Sequence, residues 1–250
     1  MILKRPGHNL THSLVEMLGQ LIVTGEYGGD HPFPIEAELA KRWNTSRSIT
    51  REAVKMLTAK GLLSARPRQG TMVEPSSNWN MLDPDVLRWL LERKFSLKLL
   101  KDFTQVRLAI EPTAAAAIAR EVDPSDLAEI ELAIERMWSA ERGEADSLEA
   151  DIAFHVSILT ATRNQFFMQL KELINTALRI SIRFTNTVKG VRRGSVVDHQ
   201  KVLLAIKAGD ADGAYQAMHK ILLEVMALIE AAKKAERPPV AEEHEKTPVA

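Results

Sequence analysis

Apolar residues recur at helical spacing through the larger, C-terminal part of the chain, and no stretch there alternates over the length of a strand. A repeat of about 3.6 residues with almost no glycine predicts helices. The predicted segments are 84–94, 97–121, 125–142, 146–162, 165–188, 195–208 and 210–235. Pro112 falls inside the second of these and predicts a kink or a split. Residues 96–235 should therefore form an all-α antiparallel bundle.

The N-terminal part shows different punctuation. A helical pattern from Leu14 to Ile22 stops at Gly25, and Pro34 can open a further helix because it loses no hydrogen bond in a first turn. The polar run 44–46 interrupts this helix, Ser46 or a neighbour can cap another, and Gly61 can end it. Two short strands, 62–66 and 71–73, flank a turn. Residues 9–75 thus predict a winged helix-turn-helix with a small β-hairpin wing.

A local basic patch covers this segment. The whole chain balances 33 basic against 33 acidic residues, but between Lys41 and Gly70 eight Lys or Arg accompany one acid, Glu52. A recognition helix enters the major groove with its N-terminal residues, so the patch indicates DNA binding; a merely solvated basic face is the alternative. The candidate DNA contacts are Lys41, Ser46, Arg47, Thr50, Arg51, Lys55, Arg66, Arg68, Gln69 and Gly70.

Composition narrows the remaining choices. The chain has no Cys, which excludes disulfides and thiolate metal sites. No apolar run approaches the roughly 20 residues that span a bilayer, and no signal-peptide pattern begins the chain, so a cytoplasmic protein is expected. Residues 76–95 form a linker with a linker helix, in which Trp79 and Trp89 should pack against a domain. Residues 236–250 should be a disordered tail.

Two groups of polar residues interrupt the apolar stripes of the predicted bundle. Arg107 lies in the middle of one stripe, with Glu111 one turn later, so it must meet an acid, a bound anion or water. A simple Arg107–Glu111 pair at the bundle edge is equally open. Asp151, His155 and His199 lie on inward faces of two other helices and could bind a divalent metal such as zinc or nickel. An Asp–His hydrogen bond beside an unrelated capping His is the alternative.

Several motifs resemble those of the winged helix-turn-helix of GntR-type bacterial regulators. They are Pro34, Glu36 and Glu38-Leu39-Ala40; Thr45-Ser46-Arg47; Arg51-Glu52-Ala53-Val54; Lys60-Gly61-Leu62; and Arg68, Gly70-Thr71 and Val73. The resemblance implies that Arg47 and Arg51 contact DNA and that the wing around Gln69-Gly70 reaches the minor groove. Ala37 stands where some family members carry a third Arg.

The helical part is similar to the effector-binding domain of the FadR subgroup of that family. The matching residues are Val106-Arg107, Glu111, Asp151, Phe154-His155, Asn164, Asp198-His199, Ala205-Ile206, Gly209-Asp210, Ala214 and Ala217-Met218. The resemblance implies a metal held by Asp151, His155 and His199, completed by water or an effector carboxylate. The usual third His position is Ile221, and His219 should point away. Asn78-Trp79-Asn80 and the residues that follow resemble the linker of sugar-acid regulators.

The patterns and the two resemblances together predict a homodimeric transcriptional repressor, not an enzyme; the resemblance implies that it releases operator DNA when it binds a small carboxylate, such as an aldonate. The expected effector contacts are Arg107, Asp151, His155, Asn164, Arg183 and His199. One alternative is a regulator of the same fold that acts as an activator or answers to another carboxylate or an acyl group. Another alternative is a metal-dependent enzyme in the helical domain.

Overall fold

The computed structural model describes residues 10–29, 31–66, 70–93, 96–187 and 195–236; side chains at 66, 180, 182–187 and 236 are outside this description. The described elements are α1 (Leu10–Val23), α2 (Glu36–Trp43), α3 (Arg47–Ala59), β1 (Leu63–Arg66), β2 (Gly70–Val73), a 3-10 turn (Ser76–Asn78), α4 (Pro84–Arg93), α5 (Leu97–Arg120), α6 (Pro124–Glu141), α7 (Ser147–Ala161), α8 (Gln165–Gln169), α9 (Lys171–Thr187), α10 (Val196–Lys207) and α11 (Ala211–Glu236). None of these helices could cross a lipid bilayer.

The first three helices and the hairpin form the predicted winged helix-turn-helix. Asn44 ends α2 in the left-handed conformation at φ 50°, and the Ser46 side chain accepts a hydrogen bond from the Ile49 amide and so caps α3. Gly61, at φ 77°, reverses the chain into the hairpin, where an L side chain would be strained. β1 and β2 are antiparallel, with Leu63 opposite Val73. The mainly α fold class is confirmed.

Helices α5 to α11 form the second unit, whose apolar core is separate from that of the first. Helix α5 packs along α11, and α7 lies against α6, α9 and α5. The predicted segment 165–188 is two helices rather than one: the Leu170 amide bonds to Phe167 O, a tighter turn that separates α8 from α9. Pro112 does not split α5, which is continuous from Leu97 to Arg120.

Helix α4 belongs to both cores. Leu87 and Leu91 pack into the core of the helical domain, whereas Val86 and Trp89 pack into the core of the winged module. The Trp89 ring lies against Gly19 so closely that a Cβ there would approach it to 2.3 Å. The predicted packing role of Trp89 is confirmed, and its physical consequence is that α4 cannot move without disturbing the winged module.

Charged side chains reinforce this attachment. Lys60, at the end of α3, donates to both oxygens of Asp83 and to Asp85, at 2.8–2.9 Å. Arg88 donates from its two terminal nitrogens to the two oxygens of Glu16 on α1, at 2.7 and 2.8 Å, and also reaches Asp85. These five residues are called the junction network below. The network links α1 and the C-terminal end of α3 to the start and middle of α4.

Candidate DNA interface and buried polar site

Helix α3 presents a basic surface to solvent. Arg47, Arg51 and Lys55 are exposed, as are Lys41 on α2 and Ser46 at the helix start. Arg51 Nε donates to Glu36 on α2 at 3.2 Å, but 65% of the Arg51 side chain remains exposed. An exposed pair of this kind is weak. Phosphate or base atoms could therefore replace Glu36 as the partner of Arg51 at little cost.

Thr50 does not belong to this surface, which corrects the sequence expectation. Its side chain has no exposure, and its hydroxyl donates to the Ser46 carbonyl at 3.1 Å, within reach of the Thr45 hydroxyl. The packing of α3 against α1 and α2 requires an inner face, and Thr50 lies on it. Among the wing candidates, Gly70 begins β2 and is exposed. Arg68, Gln69 and the Arg66 side chain lie outside the described residues.

Five ionisable side chains meet inside the helical domain: Arg107 and Glu111 from α5, Asp151 and His155 from α7, and His199 from α10. We call them the buried cluster. Arg107 donates to both Glu111 oxygens, from Nε at 2.6 Å and from Nη2 at 3.3 Å. Glu111 Oε2 also contacts His155 Nδ1 at 2.6 Å. Asp151 retains 18% side-chain exposure, whereas the other four have 3% or less, so Asp151 lies on the side of the cluster nearest to solvent.

The two imidazoles point the same nitrogen toward Asp151. His199 Nδ1 donates to the Ser195 carbonyl at 3.0 Å, and His155 Nδ1 faces Glu111. Their Nε2 atoms lie 3.1 Å (His199) and 3.8 Å (His155) from Asp151 Oδ1. The second distance is too long for a hydrogen bond, and the His199 Nε2 atom makes none despite its proximity. Asp151, His155 and His199 thus each bring one potential metal-ligand atom to within 4.8 Å of the other two.

The carboxylates in the buried cluster are ionised. Burial alone would raise the pKa of Glu111, but Arg107 and His155 hold it at about 2. Burial likewise opposes ionisation of Asp151, whereas His199, His155 and Arg107 hold its pKa at about 2. Burial lowers the pKa of His199, and the adjacent Asp151 carboxylate outweighs this effect and raises it above its usual value. The cluster therefore contains two fixed negative charges beside one fixed positive charge.

The three facing donors fit a divalent cation. Carboxylate oxygen and imidazole nitrogen are ligands that zinc and similar metals accept. Two donors about 2.0–2.1 Å from one tetrahedral ion lie about 3.4 Å apart, between the two Nε2–Oδ1 distances observed here. Each imidazole is also oriented through Nδ1 by a carbonyl or carboxylate, as metal-bound imidazoles commonly are. Within the described residues the metal-ligand grouping contains these three side chains and no fourth.

Other predicted site residues have different positions. Asn164 is exposed and caps α8, accepting from the Phe166 and Phe167 amides, so it does not join the buried cluster. The Arg183 side chain lies outside the described residues. Ile221 is buried in the apolar core, and His219 stacks on Tyr215 with ring centroids 5.7 Å apart. The expectation that His219 lies apart from the donor set agrees with this geometry.

Glu111 is the site residue that sequence reasoning undervalued. Its spacing of four from Arg107 predicted the ion pair, which is present, but nothing local indicated the contact with His155, 44 positions later. The pair is not at the edge of the bundle, since both side chains are buried. A buried Arg107 also disfavours the acyl-ligand alternative, which would need an apolar pocket.

Comparison with known proteins identifies the family. Residues 10–73 match the family described as bacterial regulatory proteins, gntR family, and residues 102–224 match the FCD domain. The chain is 35% identical over 212 residues to the galactonate operon transcriptional repressor of Escherichia coli, covering 84% of this chain and 92% of that protein. This chain belongs to the GntR family. It is also 32% identical to the E. coli regulator YieP, covering 86% of this chain and 93% of YieP.

Solved structures share the fold of this GntR-family chain. Escherichia coli McbR/YncC has a TM-score of 0.51 at 18% identity, with 90% of this chain and 99% of that one covered. Lar, which controls expression of the agr system of Listeria monocytogenes, has a TM-score of 0.52 at 17% identity, with 91% and 99% covered. The curated relatives are transcription regulators rather than enzymes. The protein is a GntR-family transcription regulator with an FCD domain.

Proposed function

We propose that this protein is a homodimeric repressor that dissociates from operator DNA when it binds a small carboxylate, namely a sugar acid of the aldonate class. Arg47 and Arg51 would read bases, and Lys41, Lys55 and the wing would hold phosphates. The 35% identity to a galactonate operon repressor supports both the sign of regulation and the class of effector. Two protomers related by a two-fold axis would match a near-palindromic operator.

The observation that supports this proposal most directly is that three potential metal ligands of the buried cluster face one another. Asp151, His155 and His199 would hold zinc or nickel, and when bound the metal would supply a positive centre with an open position for a carboxylate oxygen. With both imidazoles neutral, as metal ligation requires, Arg107, Glu111 and Asp151 sum to −1. A divalent ion makes the cluster +1, so a monocarboxylate brings it to neutrality, which favours an aldonate over a dicarboxylic aldarate.

Helix α4 offers the route from effector to DNA. Helix α9 packs against both α7, which carries Asp151 and His155, and α4, which is attached to the winged module through Trp89 and the junction network. A displacement of α7 on effector binding would therefore reach α3. A decisive shift between the two arrangements needs the effector to prefer one of them by roughly 5 kcal/mol.

The test combines binding with release. Thermal unfolding of the purified protein would be monitored with galactonate, other aldonates, uronates and aldarates, with zinc present or removed by a chelator. We expect an aldonate to raise the midpoint only when zinc is present. The same aldonate should then dissociate the protein from DNA chosen by in vitro selection, measured by fluorescence anisotropy. Stabilisation by none of these acids, or tighter DNA binding with an aldonate, would contradict the proposal.

A further inference from the structure

Glu111 is the buried residue that joins the two halves of the cluster, yet it is neither a candidate metal ligand nor a candidate effector contact. We propose that Glu111 is a positioning residue, which holds His155 in the tautomer that can bind a cation and fixes the orientation of the Arg107 guanidinium. This inference rests on the metal and effector roles proposed above for the two neighbours of Glu111.

The tautomer of His155 follows from the chemistry of its partner. Glu111 is fully buried, and an ionised carboxylate can only accept hydrogen bonds. At 2.6 Å from Oε2, His155 Nδ1 must therefore carry the hydrogen. In a neutral imidazole the other nitrogen, Nε2, then has a free lone pair. That atom is the one facing Asp151 and His199, so α5 determines which nitrogen α7 presents to the site.

The same carboxylate also holds Arg107. The Nε and Nη2 atoms of Arg107 donate to the two Glu111 oxygens, and these two hydrogen bonds fix the plane of the guanidinium. The Nη1 atom takes no part in this fork. Arg107 is thereby oriented before any ligand arrives, and an arginine with a fixed plane loses less freedom when it binds a carboxylate.

Replacing Glu111 with glutamine separates positioning from packing, because the two side chains have nearly the same shape. Arg107 can only donate, so it would take the amide oxygen of Gln. The amide NH₂ group would then face His155 Nδ1 and donate to it. This arrangement favours the tautomer with hydrogen on Nε2, which cannot ligate a metal without losing that hydrogen.

The first measurement is zinc affinity of the full-length protein by isothermal titration calorimetry, with no sugar acid present. Loss of an outer carboxylate that orients a ligating His weakens metal binding by about 10- to 100-fold, and we expect Glu111→Gln to fall in that range. The matched control is Glu131→Gln, which removes an exposed acid paired with Lys207 on the surface of the domain. The control should bind zinc as the unaltered protein does.

The second measurement reports the tautomer itself. Nitrogen-15 chemical shifts of the metal-free protein distinguish a protonated Nδ1 from a protonated Nε2, and the His155 signals are assigned by their loss in His155→Gln. We expect hydrogen on Nδ1 in the unaltered protein and on Nε2 in Glu111→Gln. A merely structural role for Glu111 would not move this signature.

Three results would overturn the positioning role. They are hydrogen on Nε2 in the unaltered protein, an unchanged tautomer in Glu111→Gln, and unchanged zinc affinity in a folded Glu111→Gln variant. The tautomer of the unaltered protein decides the central point even if the variant does not fold. If the unaltered protein bound no zinc but kept hydrogen on Nδ1, the metal site in the proposed function would fail and the tautomer assignment would stand.

Discussion

The junction network and the buried cluster are both five-residue groups of charged or ionisable side chains that join helices, but they differ in burial and in how their atoms are paired. In the junction network each side chain retains between 14 and 32% of its exposure. Its cations, Lys60 and Arg88, each donate hydrogen bonds to two carboxylates. The buried cluster is almost closed to solvent, yet it leaves two imidazole nitrogens facing a carboxylate without a hydrogen bond.

This difference separates a scaffold from a binding site. Buried polar atoms without partners cost free energy, so a polar group that lacks a partner inside a charged cluster needs an explanation. The junction network has no such surplus, and its geometry is explained by fastening α4 to α1 and α3. The buried cluster has two imidazole nitrogens and a carboxylate oxygen at ligand spacing with no hydrogen bond between them, which is typical of a site that receives a cation.

The largest expected loss of stability comes from removing Arg107 from the buried cluster, and removing Arg88 from the junction network provides the comparison. Arg107→Ala leaves Glu111 buried without its cation, and breaking a buried pair in this way costs about 3–5 kcal/mol of unfolding free energy. Arg88→Ala leaves Glu16 partly solvated, and we expect a loss of at most about 1 kcal/mol. Urea unfolding of both variants measures the contrast. Equal losses would remove the distinction between the two groups.

Arg107→Ala also tests function where enough protein remains folded. Helix α5 does not contribute to the proposed DNA-contacting surface, so operator affinity should be retained. Release by an aldonate should be lost, because the variant lacks the proposed partner of the effector carboxylate. Anisotropy titrations with and without the aldonate measure both quantities, and normal release would remove Arg107 from the effector site.

The apolar side of the junction gives the next effect. Gly19→Ala should destabilise the protein by about 1–3 kcal/mol, although alanine is the better helix former, because its Cβ would approach the Trp89 ring to 2.3 Å. Thermal and urea unfolding would measure the loss. In a double-mutant cycle, replacing Trp89 with the smaller leucine should reduce the loss of unfolding free energy that Gly19→Ala causes. Additive losses would show that α1 and α4 are not in the contact described.

The exposed ion pair between Arg51 on α3 and Glu36 on α2 extends the comparison to the least buried charged side chains. Arg51→Ala should change stability little, because its contact with Glu36 is exposed, but it should weaken operator binding by about 1–3 kcal/mol and relax specificity at one position. Lys55→Ala is the matched change at a proposed phosphate contact. It should weaken binding to all sequences alike. The slope of the logarithm of the binding constant against the logarithm of salt concentration should fall in magnitude by about 1. Unchanged operator affinity of Arg51→Ala would contradict the assignment of α3.

The smallest effect is a pH dependence of the junction network. Burial alone raises the pKa of Glu16, but Arg88 outweighs it, and the net pKa lies below the usual value of a glutamate. A lowered folded-state pKa adds stability that is present above the unfolded pKa, about 4.3, and is lost as pH falls through the folded value. Glu16→Gln should therefore lose less stability below pH of about 4 than the unaltered protein does. Urea midpoints measured across this range test it, and parallel curves would contradict it.

Much of the architecture could be predicted because it depends on neighbours in the chain. Helical periodicity placed the helices of the second domain, and the cap at Ser46 and the turn at Gly61 marked the ends of α3 from local hydrogen bonding and backbone freedom. Thr50 and Asn164 show the limit of such reasoning. Both have side chains suited to binding, but packing buries the first, and the second caps a helix.

The sequence alone determined which residue types the site would contain, since Arg107, Asp151, His155 and His199 stand at inward positions of their own helices. Only the tertiary structure decided how they meet. The Glu111–His155 contact joins residues 44 positions apart, and the approach of His199 to Asp151 joins α10 to α7. Helix periodicity depends on hydrogen bonds four residues apart, whereas these contacts depend on the packing of whole helices, which no local pattern encodes.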